Sequence, residues 1–130
     1  MCEYTVERAA ANLPQSSQSA LFTITGGRVL LVGLLGEVTT DIQNQSNLAD
    51  VKVNPSVGSD VTMLSLSNIQ GHSTGTMLSE DISVAASFLN PHRVCPVGTI
   101  DLSCAASSTG QIKWLLKYEP LDPGAKVTAA

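Results

Sequence analysis

The chain has 130 residues, 43% of them hydrophobic and only 14% charged, and its 7 Lys and Arg against 11 Asp and Glu leave a net charge of -4. That length supports one well-cored domain and not two, and the charged fraction lies well below the roughly 25% usual in soluble domains. The acidic balance, with no local cluster of Lys and Arg, repels a phosphate backbone and disfavours nucleic-acid binding.

Residues 1–19 read as an appendage. TVERAAANL has moderate helix propensity and then meets Pro14 and the polar stretch QSSQS, so a short helix or extended arm plus linker is expected there, with a single β domain over residues 20–130. The opening MCEYTVERAAANLP is polar and acidic where a secretory leader has a basic start, so no leader is expected. In a reducing cytoplasm Cys2, Cys95 and Cys104 are expected to stay unbridged, although the last two could approach across neighbouring strands.

The segments LFTIT and RVLLVGLL flank Gly26-Gly27, a pair suited to the positive φ of a two-residue hairpin loop. The second segment is apolar on both faces, with Val29 and Leu31 opposing Leu30, Val32 and Leu34, so something beyond an ordinary one-sided core has to cover it. It is no membrane span, because the continuous apolar run covers only residues 29–35 and a helix needs about 20. GEVTTDIQNQ prolongs the strand past a bend at Gly36, and LADVKVNP and VTMLSLSNI form another hairpin around PSVGSD.

GHSTGT is a loop, and the prolines of AASFLNPHRVCPVG predict irregular chain. VGTIDLSCAA and QIKWLLKYEP then form a strand pair with one buried face, the latter placing Ile112, Trp114 and Leu116 opposite Lys113, Leu115 and Lys117. LDPG is a turn, and AKVTAA ends as a short strand or tail. Seven or eight short strands and no long helical pattern predict an all-β, jelly-roll-like sandwich or barrel with a short N-terminal arm.

Chemistry is sparse. Gly71-His72-Ser73-Thr74-Gly75 fits the letters G-x-S-x-G, but that motif has meaning only between a strand and a helix of a larger parallel-sheet fold, so a plain loop is expected. His92, Cys95 and Cys104 offer three metal ligands without a fourth, and Glu80 and Asp81, adjacent in sequence, point opposite ways in an extended chain. Trp114 and Tyr118 share a face and could stack on a sugar; Ile112 and Leu116 on the same face favour core packing instead. No enzyme, no metal and no cofactor is expected.

The ending ASSTGQIKWLLKYEPLDPGAKVTAA, together with LFTITGGRVLLVGLLGEVTTDIQNQ, resembles the small capsid decoration, or cement, proteins of tailed bacteriophages. The likeness spans about half the chain and carries no catalytic motif. It implies a β-rich, jelly-roll-like virion subunit, assembled in the host cytoplasm, that binds the capsid exterior as an oligomer and ties neighbouring major capsid proteins together, with no membrane partner. The two-faced strand then suggests a dimer or trimer interface at Val29, Leu30, Leu31, Val32, Leu34 and Leu35, and Tyr4, Val6 and Leu13 become the arm's capsid contacts. A tail or neck component and a carbohydrate-binding receptor module are the alternatives.

Overall fold

The computed structural model describes residues 4–78 and 93–130. Its strands are β1 (Tyr4–Asn12), β2 (Gln18–Thr25), β3 (Val29–Thr40), β4 (Leu48–Pro55), β5 (Val61–Asn68), β6 (Arg93–Cys95), β7 (Gly98–Cys104), β8 (Gln111–Pro120) and β9 (Lys126–Ala129). They form a four-stranded sheet, β1-β8-β3-β6, and a five-stranded sheet, β5-β4-β7-β2-β9. No helix occurs among the described residues.

The pairing is nested. β1 pairs with β8, β2 with β7, β3 with β6 and β4 with β5, all antiparallel. A chain folded back on itself at the β4–β5 turn and rolled into two layers gives this order, which is an eight-stranded jelly roll with β9 added beside β2. The all-β sandwich expected from the strand pattern is therefore the architecture.

Several local expectations change. β2 and β3 do not pair: each lies in a different sheet, so Gly26-Gly27 makes an arch between layers and not a hairpin, although both glycines do take positive φ, 80° and 149°. β7 and β8 are likewise split between the sheets, whereas β4 and β5 form the predicted hairpin. Arg93–Cys95, expected to be irregular, is a short strand against Val29–Leu31.

The N-terminal segment is the largest correction. Neither a helix nor a free arm, Tyr4–Asn12 is the edge strand of the four-stranded sheet. Its register sets Tyr4 against Tyr118, Val6 against Leu116 and Arg8 against Trp114, so helix propensity yields to the pairing demand of an otherwise naked β8.

Between the layers lies one core in which Trp114, Phe22, Ile24, Ile100, Leu102, Ile112 and Leu116 are fully buried. Trp114, 1% exposed, fits because the residue facing it on β3 is Gly36. A Cβ on Gly36 would stand 2.7 Å from the indole ring. The smallest residue of β3 thus makes room for the largest side chain of β8.

Candidate contact surfaces

The six residues expected at an oligomer interface divide by face. Val29, Leu31 and Leu34 point inward and belong to the chain's own core. Leu30, Val32 and Leu35 are half-buried and remain outside that core. The cause is the β alternation, perturbed by register shifts between Leu31 and Gly33 and between Val38 and Thr40.

On the outer face of the four-stranded sheet, Leu35 lies directly across from half-buried Leu115, and Leu30 lies across from Val94, which is 54% exposed. Charges of both signs surround these aliphatics. Glu37 faces Lys113, Leu30 also faces Glu119, and Lys117 sits opposite Gly33. Lys113 Nζ reaches Glu7 Oε1 at 3.9 Å, with both side chains well exposed. An aliphatic centre with a mixed-charge rim has the composition of a protein contact site.

The opposite face of the sandwich differs. Asp101, buried at the middle of the five-stranded sheet, accepts hydrogen bonds at Oδ2 from Gln18 Nε2 at 2.8 Å and from Asn54 Nδ2 at 3.0 Å. Gln18 also donates to Asp60 Oδ2 at 3.1 Å. This outer face is mainly polar, and the other carboxylate oxygen of Asp101, Oδ1, is buried without a hydrogen-bond partner.

The two ends of the sandwich also contrast. At one end the turns between β2 and β3, β4 and β5, β6 and β7, and β8 and β9 come together. Ser56 N donates to Val97 O at 2.9 Å, Leu121 N donates to Arg28 O at 3.0 Å, and the exposed apolar residues there are Val57 (86%), Val97 and Leu121. At the other end, buried Asn47 donates from Nδ2 to Ala106 O and Ser108 Oγ, while Gln15 donates to Ser108 O at 3.0 Å. Amides and hydroxyls seal that end.

Arg28 and Asp122 pin the first end. Arg28 Nε donates to Asp122 Oδ2 at 3.0 Å, its backbone N–H donates to the same oxygen at 2.7 Å, and Nη2 donates to Oδ1 at 3.0 Å. These bonds, the guanidinium first and the backbone second, hold the Asp122 carboxyl at about 2. Asp41 is also lowered, by the backbone N–H and then the hydroxyl of Thr74. A carboxylate with a depressed folded value contributes stability above its unfolded value, near 4, and loses that contribution as pH falls through the folded one. Urea midpoints are therefore expected to drop between about pH 4 and pH 2, and Asp122→Asn to flatten that drop. An identical pH profile for the variant would show that the pair adds nothing.

The arm residues also change meaning. Tyr4 is half exposed and stacks obliquely on Tyr118, ring centroids 5.6 Å apart at 31°. Val6 packs against the core and Leu13 is buried in it. All three are engaged by their own chain.

The remaining candidates do not assemble. Trp114 and Tyr118 are buried, so no sugar can stack on them. The loop Gly71–Gly75 is docked on β3: Thr74 bonds Asp41, His72 O accepts from Ile42 N at 2.9 Å, and Gly75 N donates to Val38 O at 2.8 Å. The letters G-x-S-x-G here describe a loop with positive-φ glycines at both ends. Cys95 pairs with Val29 in one sheet and Cys104 with Ala49 in the other, at opposite ends of the sandwich, so they neither approach each other nor share a metal. Burial pushes the Cys104 thiol up to about 11. Cys2, Glu80, Asp81 and His92 lie outside the described residues. Among the described residues no group of three His, Cys, Asp or Glu is placed to hold a metal ion, and no helix is long and apolar enough to cross a membrane.

Leu115 and Val94 complete the outer apolar patch without having been singled out in sequence. Leu115 carried a signal, since it alternates with Lys113 and Lys117 on the polar side of its strand; Val94 carried none, because its strand is only three residues long. The molecule is thus a jelly-roll sandwich with an aliphatic outer face on one layer. No protein-family model, curated protein or solved structure matches the chain.

Proposed function

We propose that this protein is a virion structural subunit of the cement type, which binds the outside of a phage capsid shell in several copies and ties major capsid proteins together. The observation that carries this reading is the outer face of the four-stranded sheet. Leu30, Val32, Leu35, Leu115 and Val94 stand outside the core within a rim of Glu7, Glu37, Lys113, Lys117 and Glu119. A surface of this kind does its work by contact.

The mainly polar face of the other sheet and the amide-sealed end support the same orientation, with the aliphatic face toward a protein partner. Cementing follows from linkage. A subunit that binds assembled shell and not free capsid protein stabilises the shell by its binding free energy, and repeated copies multiply the effect.

The test is co-sedimentation with shells stripped of exterior proteins, together with the melting temperature of those shells. Saturable binding that raises the melting temperature is expected. A chain that stays in the supernatant at every concentration sinks the proposal.

A further inference from the structure

We infer that β1 is an exchangeable strand: the edge of β8 accepts the Tyr4–Asn12 segment of a second copy of this chain, in the register its own β1 uses.

The segment and its berth are unequally dependent on each other. β1 has one ladder partner, β8, and no residue of β1 is fully buried; six of its nine are exposed and three half-buried. Leaving costs β1 little burial of its own. β8, in contrast, carries Trp114, Leu116 and Tyr118, which are buried beneath the positions opposite Arg8, Val6 and Tyr4. The berth therefore has to be filled by something of β1's shape. The occupant that fits is known, because the register from Tyr4 opposite Tyr118 to Asn12 opposite Gln111 is already realised, and a second copy brings the same residues.

The connection to β2 favours exchange. Exchanged and closed forms share every β1–β8 contact, so the hinge decides between them. The hinge, residues 13–17, is short and contains Pro14. In it Ser16 is held at φ 49°, making it the one non-glycine residue with positive φ among the described residues. A side chain with a Cβ is strained in that region, and short hinges under strain promote swapping. Opposing this are the ties that hold the hinge closed: Leu13 buried in the core, Gln15 Nε2 donating to Ser108 O at 3.0 Å, Ser16 N to Ala106 O at 3.3 Å and Cys104 N to Ser17 O at 2.9 Å. β1 lies at a sheet edge with β8 as its one ladder partner, so its exchange breaks a single ladder.

This inference rests on reading the chain as a subunit that works in several copies, but its test reads chain connectivity and not shell binding. Thr5 and Lys117 are exposed and directly opposite each other, at a separation that suits a disulfide. The Thr5→Cys/Lys117→Cys variant, carrying Cys2→Ser, is concentrated, its oligomer fraction isolated and oxidised, and the product run on a denaturing, non-reducing gel. Bands of two or more covalently linked chains are expected. Single-chain bands with the engineered thiols consumed overturn the proposal, and so does a protein that stays monomeric at every concentration. Ser16→Gly, which accepts the left-handed backbone freely, is expected to lower the exchanged fraction severalfold, and an unchanged fraction also overturns it. Shells that bind single-chain, internally cross-linked protein would remove strand exchange and leave the cement reading in place. Exchange without shell binding would do the reverse.

Discussion

Trp114→Ala is expected to destabilise the protein by about 3–5 kcal/mol. Small domains have roughly 5–15 kcal/mol in total, so the variant should sit near the edge of unfolding at ambient temperature. The reason is geometric. The indole fills the space between the layers that Gly36 leaves open, so its removal creates a void lined on the β3 side by a residue with no side chain to relax into it. Gly36→Val attacks the same contact from the other strand. Its Cβ alone would meet the ring at 2.7 Å, and overpacking of that kind costs about 1–3 kcal/mol. Because both changes act on one space, the double variant Gly36→Val/Trp114→Ala should be less destabilised than the sum of the two singles. Urea unfolding followed by circular dichroism measures all of them. A loss below about 1 kcal/mol for Trp114→Ala would contradict the packing described, because full burial of an aromatic is worth several times that.

Leu35→Asp should leave the fold intact and weaken association through the outer face of the four-stranded sheet, shell binding included, whereas Leu31→Asp should unfold the chain. The two residues lie on the same strand and differ only in the face they present. Leu31 is buried in the core, so an aspartate there is a buried, unpaired charge, among the most damaging of single changes. Leu35 lies outward opposite Leu115, where an aspartate stays hydrated and costs the monomer little. In an interface that buries the aliphatic patch, the same carboxylate would be desolvated opposite apolar atoms, an effect on the order of 2 kcal/mol or more at a central position and about thirtyfold in affinity. Leu115→Asp should behave alike. Light-scattering mass and shell co-sedimentation, with circular dichroism as the folding control, decide the matter. Leu35→Asp protein that associates and binds shells normally would remove this face from the contact surface.

The sequence disclosed the strands well and their partners poorly. Alternation in QIKWLLKYEP correctly set Ile112, Trp114 and Leu116 inside and Lys113, Leu115 and Lys117 outside, and the Gly26-Gly27 pair did mark a turn. Neighbourhood in sequence misled, because a Gly-Gly turn serves an arch between layers as well as a hairpin, and only distant partners decide which. The same ignorance of β8 hid β1: TVERAAANL has no strand signal of its own strong enough to outweigh three consecutive alanines, and the pairing that makes it a strand comes from the far end of the chain. The two-faced character of β3 was legible, but plain alternation groups Leu34 with Leu30 and Val32 and does not say which face the chain's own core takes. The bulge between Leu31 and Gly33, which leaves Leu34 inward and Leu35 outward, was not legible, because it depends on the match to β8.

The nested pairing also ranks the strand pairs by the length of chain each must close. The β4–β5 hairpin closes the shortest loop and can form first; each later pair, β3 with β6, β2 with β7 and β1 with β8, must join segments progressively further apart in sequence. During synthesis β1 emerges first and waits longest, until β8 has left the ribosome. In that interval a crowded polysome presents the unoccupied β8 of one nascent chain to the waiting β1 of another. If β1 exchanges between copies, expression level and translation rate should set how many chains leave the ribosome already joined.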